Sequence, residues 1–170
     1  MTVSLRPAEA ADVPRVGRLH HRSRAAAYRD LLPAEALEVP TADMMADWWV
    51  ARWPYERDTH LMTVAEHDGQ LAGFTYLGPD EDGDPDAGEL YAIHLDPDLQ
   101  ARGIGRALMV DALAELHRRG FRRALLWVLT GNTHARRFYE RGGWRLDGTH
   151  REVSYGAVRT PQVRYARPLP

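Results

Sequence analysis

The chain has 170 residues and a formal net charge of −2, a size and charge typical of one soluble domain spanning residues 1–170. The low charge argues against a nucleic-acid partner, because domains that bind nucleic acids are usually markedly basic. The sequence contains no cysteine, and all 22 basic residues are arginine. This composition excludes disulfides, thiolate metal sites, cysteine nucleophiles, P-loop lysines and Schiff-base lysines.

The opening stretch MTVSLRPAEAADVPRV has no long apolar run of the kind that a signal peptide requires. No window of the chain approaches the length of a membrane-spanning helix. We therefore expect a cytoplasmic protein that acts without a membrane partner.

The first third of the chain is predicted to contain one strand followed by two helices. Residues 2–6 alternate between polar and apolar side chains as a strand does, and apolar residues recur near helical spacing within 8–32. A second helix is predicted over 41–53. Thr41 is a plausible N-cap for it, and Pro54 is expected to end it.

A β-hairpin and a further strand are predicted next. Residues 60–67 and 70–77 alternate and are joined at HDGQ, where the Asp-Gly pair is a strong hairpin signal. Residues 90–95 are predicted as the fourth strand. The acidic loop before it lacks the glycine and glutamate of an EF-hand at the required positions, so we interpret it as a solvated turn. A secondary interpretation is that its carboxylates attract a cationic amine.

The second half of the chain alternates helices with strands. A helix is predicted from the glycine pair of the stretch ARGIGRALM to Arg119, with Gly120 as its C-terminal stop. A strand, a short helix and two closing strands follow at 122–129, 132–141, 144–149 and 162–167. The predicted fold is therefore α/β, with helices flanking one mixed sheet.

The stretch DPDLQARGIGRALM places Gly103 and Gly105 between a strand and an apolar helix, with Arg102 and Arg106 beside them. The first N–H groups of a helix lack internal partners and carry the positive end of its dipole. Glycine removes the side chains that would hold an anion away from those groups. This pattern predicts a phosphate-binding corner.

Two common phosphate-binding patterns do not fit this corner. A dinucleotide fingerprint would need a third glycine where the chain has Leu108, and a Walker loop would need a lysine. The pattern that remains is Gln-x-x-Gly-x-Gly, which begins at Gln100.

With this pattern, ELYAIHLDPDLQARGIGRALM resembles the fourth strand, pyrophosphate loop and third helix of the GNAT superfamily of acetyl-CoA-dependent N-acetyltransferases. The stretch LTGNTHARRFYERGGWR resembles the fifth-strand exit and fourth helix of the same superfamily. The order of predicted elements also matches. The resemblance implies a mixed, mostly antiparallel sheet of about seven strands flanked by about four helices.

The resemblance further implies acetyl-CoA as the co-substrate, with no metal. Its diphosphate would lie on the backbone amides of residues 102–106. Its pantetheine arm would pair with β-strand backbone where the fourth and fifth strands splay apart, and one N–H there would stabilise negative charge on the thioester oxygen. The residues that the resemblance assigns to acetyl-CoA are Ile93, His94, Leu95, Gln100, Ala101, Arg102, Gly103, Ile104, Gly105, Arg106 and Asn132. Asn132 has a second interpretation as the N-cap of the following helix.

Acetyl transfer to an amine requires a base, because an alkyl amine of pKa about 10 is mostly protonated at neutral pH. The leaving thiolate in turn gains from a proton donor. Tyr139 matches the family position whose hydroxyl faces the cofactor sulfur and is the predicted acid, with plain core packing as the alternative. Because the chain has no cysteine, we expect direct transfer in a ternary complex.

Glu89 is the predicted base, since a glutamate at this place in the fourth strand serves as the base in one branch of the family. The alternative is a solvated residue at the start of the strand. His94 and Tyr91 are further candidates for the base. Strict alternation along the strand would place Glu89 and His94 on opposite faces, so they are not expected to share a site.

The stretches AAAYRDLLP and MMADWWVARWP resemble the helix pair that lines the acceptor pocket in GNAT proteins. Tyr28 and Trp49 are therefore predicted to contact the acceptor. Core packing is the alternative, as is an oligomer face such as a homodimer interface for the tryptophans. The adjacent His20 and His21 would point in different directions on a helix, which makes them a poor metal pair and predicts surface positions.

The function that these motifs predict is N-acetyl transfer from acetyl-CoA to a small-molecule or peptide amine. The alternative is a regulatory domain that binds acyl-CoA without turning it over.

Overall fold

The computed structural model describes residues 2–170. Seven strands form one sheet: Val3–Pro7 (β1), Leu61–His67 (β2), Gln70–Pro79 (β3), Ala87–Leu95 (β4), Arg123–Leu129 (β5), Arg145–Tyr155 (β6) and Val158–Pro168 (β7). Five helices accompany it: Val13–Tyr28 (α1), Ala34–Glu38 (α2), Ala42–Glu56 (α3), Ile104–Arg118 (α4) and Thr133–Arg141 (α5). The strand order is β1-β2-β3-β4-β5-β7-β6, and β4 with β5 is the parallel pair in an otherwise antiparallel sheet. The predicted fold class is confirmed.

The two faces of the sheet bury separate cores, as the alternation of strand residues requires. On one face, α1 and α3 pack Leu19 and Trp49 against Phe74 of β3. On the other face, α4 packs Leu116 against Leu77, whose side chain leaves β3 on the side opposite to that of Phe74. Because both faces are covered, the middle of the sheet is buried and only its ends and outer strands meet solvent.

Several local predictions hold because they depend on neighbouring residues alone. The Oγ1 of Thr41 accepts a hydrogen bond from the Met44 N–H at 3.2 Å, which is the predicted N-cap. The β2–β3 turn has Asp68 and Gly69 at φ +50° and +79°, as a two-residue hairpin turn of type I′ requires. The stop of α4 is Gly120, at φ +90°.

Other predicted boundaries differ from the structure. Helix α3 continues through Pro54 to Glu56, because a proline close to the end of a helix removes a single backbone hydrogen bond. Strand β4 begins at Ala87 instead of residue 90, and β6 and β7 meet in a long hairpin around Gly156. The predicted closing strands at 144–149 and 162–167 lack the tip of this hairpin, because the residues there alternate between exposed and half-exposed positions without an apolar face.

None of the helices formed by residues 2–170 has the length and apolar character needed to cross a membrane.

Candidate active site

A cavity of about 580 Å³ opens where β4 and β5 diverge. Within residues 2–170, these strands pair only from Ala87 to Glu89, opposite Arg123 to Leu125. Beyond that point, residues 90–95 of β4 and 126–128 of β5 line the cavity from its two sides. The splay that the family resemblance implied is therefore present. It exposes one edge of β4 to the cavity instead of to a neighbouring strand.

The glycine corner closes one end of this cavity. Gly103 is the N-cap residue of α4 and adopts φ +79°, a left-handed conformation that favours glycine. The first helical hydrogen bond is donated by the Ala107 N–H to the Gly103 carbonyl at 3.0 Å, so the N–H groups of 104–106 precede the helical ladder. A Cβ on Gly105 would lie 3.3 Å from Leu95 Cδ1 on the cavity wall. The corner therefore presents bare backbone donors to the cavity.

The predicted cofactor residues divide into two groups. Those whose side chains or bare backbone line the cavity are Ile93, His94, Leu95, Gln100, Ala101, Gly103, Gly105, Arg106 and Asn132. Ile104 turns its side chain into the core, so only its backbone can serve a ligand. Arg102 is not among the lining residues, and the resemblance assigns its backbone amide to the diphosphate. Asn132 combines its two interpretations, since its Oδ1 accepts a hydrogen bond from the Ala135 N–H at 3.2 Å while it lines the cavity.

Helix α5 brings Tyr139 to the cavity. The phenol is 8% exposed, lines the cavity and contacts the ring of Trp144 in the core. Tyr139 therefore both packs in the core and lines the cavity. Burial raises the pKa of Tyr139 above its ordinary value, which keeps its hydroxyl protonated at neutral pH.

Glu89 is a buried carboxyl group on the same cavity. It is the third residue of β4 and only 2% exposed, so the alternative of a solvated strand start is wrong. Its Oε2 accepts a hydrogen bond from the Glu81 N–H at 3.2 Å. The pKa of Glu89 is raised to about 7, mainly by burial and also by the nearby carboxylates of Glu81 and Asp80, against the lowering effect of that hydrogen bond. A carboxyl group with this pKa can take up a proton near neutral pH.

A β-bulge corrects the prediction that Glu89 and His94 face opposite ways. The residues on either side of Tyr91 pair with consecutive residues of β3, so Tyr91 is the extra residue of a bulge. Glu89 lies opposite Gly78 and His94 lies opposite Phe74. Those two β3 positions are an even number of residues apart, so Glu89 and His94 share a face, and both line the cavity.

His94 and Tyr91, the other predicted candidates for the base, are less suited to take up a proton at neutral pH. Burial and, to a smaller extent, the charge of Arg24 lower the pKa of His94 to about 4, so the imidazole is neutral and weakly basic. Its Nδ1 lies 3.0 Å from Ser23 Oγ. The hydroxyl of Tyr91 donates to the Pro79 carbonyl, and burial raises its pKa.

The two predicted acceptor contacts have different positions. Tyr28 lines the cavity, where its ring meets that of Tyr155 at a centroid distance of 5.7 Å. Trp49 is 2% exposed and points from α3 into the core between the helix and the sheet, so the structure does not bring it to the cavity. Its Nε1–H instead donates to Nδ1 of His20 at 3.0 Å. His20 itself packs 4.3 Å from the His94 ring and lines the cavity, which corrects its predicted surface position.

The β6–β7 hairpin and the acidic loop supply cavity residues that sequence reasoning missed. Arg151 of β6 lies with its guanidinium carbon 4.1 Å from the Trp127 ring centroid and forms an ion pair with Glu81 of the loop. Tyr155 completes this wall. The loop is largely exposed, as predicted for a solvated turn, and arginines also anchor it, since Asp84 is likewise paired with Arg123. No local pattern marked these residues, because their contacts join segments far apart in the chain.

The described part of the chain contains no group of three or more histidine, aspartate or glutamate side chains placed to hold a metal ion.

Comparisons with known proteins agree with this geometry. The sequence profile described as the Acetyltransferase (GNAT) family matches residues 24–144. A mycothiol acetyltransferase of Propionibacterium freudenreichii is 31% identical over 116 residues, which cover 62% of this chain and 37% of the relative. A mycothiol acetyltransferase of Cellulomonas flavigena is 38% identical over 113 residues, which cover 62% of this chain and 32% of the relative. The match thus covers about a third of the length of these relatives.

Solved structures show the same fold at low identity. The PaiA N-acetyltransferase of Thermoplasma acidophilum, in complex with coenzyme A, has a TM-score of 0.76 and 18% identity, with 99% of each chain covered. The ribosomal-protein-S18-alanine N-acetyltransferase of Escherichia coli has a TM-score of 0.72 and 23% identity, with 99% of this chain and 94% of that chain covered. The family profile spans more than half of the sequence. The chain therefore belongs to the Acetyltransferase (GNAT) family.

Proposed function

We propose that this protein is an N-acetyltransferase that moves the acetyl group of acetyl-CoA to a primary amine in a ternary complex. The observation that carries the proposal is that one cavity joins the Gly103–Gly105 corner to Glu89 and Tyr139. A corner of free backbone donors, a carboxyl group with a pKa of about 7 and a protonated phenol thus line one cavity. These are the groups that acyl transfer to an amine needs.

The residues present fit acetyl-CoA as the donor. Backbone N–H groups of residues 102–106 at the start of α4, with the guanidinium of Arg106, suit a diphosphate. Gln100, Ala101 and Asn132 complete that end of the site, and the backbone of 93–95 would hold the pantetheine arm along the unpaired edge of β4. When bound, acetyl-CoA supplies an acetyl group activated as a thioester.

The side chains of the cavity would handle the protons. An acceptor that arrives as an ammonium ion must lose a proton before its nitrogen can attack, and in the proposed mechanism Glu89 accepts it. With its pKa raised to about 7, Glu89 can exchange a proton near neutral pH. Tyr139 keeps its proton at this pH, so its hydroxyl can donate to the sulfur that leaves. Glu89 is the proposed base and Tyr139 the proposed acid.

An amine panel tests this proposal. Purified protein is incubated with acetyl-CoA and small amines, amino acids, polyamines and peptides, while free thiol is measured and products are identified by mass spectrometry. A peptide with alanine at its free amino end belongs in the panel, because one neighbour of the same fold is named as a ribosomal-protein-S18-alanine N-acetyltransferase. We expect acetylation of at least one amine, with slower turnover in Glu89→Gln and Tyr139→Phe. Binding of acetyl-CoA without acetylation of any amine would contradict the proposal and favour the regulatory alternative.

A further inference from the structure

Arg24 of α1 is a buried cation for which the structure provides no counterion. The residue is 8% exposed, and its Nε and Nη2 atoms are both buried without a hydrogen-bond partner. Among residues 2–170, no carboxylate forms an ion pair with it. Buried charges and buried donors are normally paired, because leaving them unpaired is costly. An exception in a folded protein calls for an explanation.

The position of Arg24 points to the cavity. His20, Ser23, Ala27 and Tyr28 of α1 all line the cavity. Arg24 lies at the centre of this stripe, one helical turn after His20 and one turn before Tyr28. Its guanidinium carbon is 5.7 Å from the ring centroid of Tyr155, which lines the cavity from β6. The guanidinium therefore lies next to a ring of the cavity wall, and contact with a bound molecule requires the arginine side chain to turn into the cavity.

The surroundings of Arg24 supply no negative charge of their own. The titratable groups that its charge influences are His20, His21, Tyr28, His94 and Tyr155, all of which are neutral or positive. The nearby acidic loop does not supply a counterion for Arg24 either, because its Glu81 is paired with Arg151. A bound molecule is thus the remaining source of a counterion.

The two unpartnered atoms also define the shape of that counterion. Nε and Nη2 lie on the same edge of the guanidinium, so their N–H groups run roughly parallel. Such an edge matches the two oxygens of a carboxylate, which it binds in bidentate fashion.

We propose that the acceptor is a small amine that also carries a carboxylate, such as an amino acid, and that Arg24 binds this carboxylate. This inference rests on the proposed function, and it adds the substrate class. In this arrangement the carboxylate of the acceptor pairs with Arg24, while its amine lies toward Glu89 on the same cavity. The acceptor then completes a site whose charge is unbalanced in its absence.

Matched substrate pairs test the inference. Each amino acid is compared with the amine that remains after loss of its carboxylate, in the wild type, in Arg24→Gln and in the control Arg18→Gln. Arg18 lies on the same helix, is half-exposed and pairs with Asp43 at 3.1 Å. We expect the ratio of kcat/KM for the amino acid to that for the amine to fall by about 100-fold in Arg24→Gln and to stay constant in the control.

The outcomes separate this inference from the proposed function. Acetylation of amines with no preference for the carboxylate would overturn the inference and leave the proposed function standing. If no amine is acetylated, calorimetry with coenzyme A and amino acids still decides. Amino-acid binding that Arg24→Gln loses would support the carboxylate site, and no binding to the wild type would overturn it. Weaker acetyl-CoA binding in Arg24→Gln would also overturn it, because Arg24 would then serve the donor.

A stability measurement distinguishes a ligand-binding arginine from a structural one. Arg24→Met keeps the length of the aliphatic stem and removes the unpaired charge. Without ligand, we expect its Tm to rise by about 2 °C or more. A lower Tm than the wild type would show that Arg24 stabilises the free protein and would contradict the inference.

Discussion

The raised pKa of Glu89 has a measurable thermodynamic consequence. Burial raises the pKa of Glu89 from an ordinary value of 4.5 to about 7 in the folded protein. The folded state therefore keeps this proton to higher pH than the unfolded state does. Its contribution to stability is fully present below pH 4.5 and is lost as the pH rises through 7. At about 1.4 kcal/mol per pKa unit, the loss amounts to about 3 kcal/mol.

Glu89→Gln removes this titration while preserving the side-chain shape and an oxygen that can accept from the Glu81 N–H. We expect the unfolding free energy of the variant, relative to the wild type, to be about 3 kcal/mol higher at about pH 8 than at pH 4.5. Urea unfolding of both proteins at the two pH values measures this difference. In the control Glu152→Gln, which alters a carboxylate whose side chain is 54% exposed, the difference stays within about 0.5 kcal/mol.

Parallel pH dependences of the wild type and Glu89→Gln would refute the reasoning, since they would show that Glu89 titrates alike in the folded and unfolded states. The same variant tests the role of the base. The wild-type kcat/KM should rise with pH through an acid limb near 7, and Glu89→Gln should lose the limb together with about 100-fold in rate. If Glu89→Gln shows the expected change in stability with pH but keeps the acid limb of kcat/KM, another group is the base.

Three further substitutions test separate parts of the site and fold. Tyr139→Phe should lower kcat about 100-fold with an unchanged Kd for acetyl-CoA, and an unaltered kcat would remove Tyr139 as the acid. Gly103→Val should weaken acetyl-CoA binding by more than about tenfold in calorimetry, because a side chain at φ +79° strains the corner. Gly120→Val imposes similar strain at φ +90° at the far end of α4 and is the control, which should keep its affinity. Thr41→Ala should cost about 1 kcal/mol in urea unfolding through loss of its cap to Met44, and no loss would show that the cap does not stabilise α3.

The glycine corner shows what can be predicted from sequence alone. Gly103 and Gly105 follow a strand and begin a helix, and the structure places both on the cavity at the start of α4. The hairpin at Asp68 and the cap at Thr41 belong to the same class of signal. Each depends on residues within a few positions of one another, so no knowledge of the tertiary fold is needed.

Errors arose where distant segments decide the outcome. The bulge at Tyr91 depends on how β4 pairs with β3, and it alone puts Glu89 and His94 on one face. Trp49 was predicted to contact the acceptor, with core packing as the alternative, and His20 was predicted at the surface. Packing of α1 on α3 turns the tryptophan into the core and the histidine toward the cavity. Helical periodicity identified both helices but not how they pack against each other.

The amino-acid sequence by itself predicted the order of most elements and the glycine corner, because motif spacing and backbone preferences are local, and the family resemblance made Glu89 and Tyr139 candidates. Only the tertiary structure decided that these groups share one cavity and that Arg24 lies beside it without a counterion. Burial and the distances between charges set pKa values and leave charges unpaired. Those quantities exist only once segments far apart in the chain have packed together.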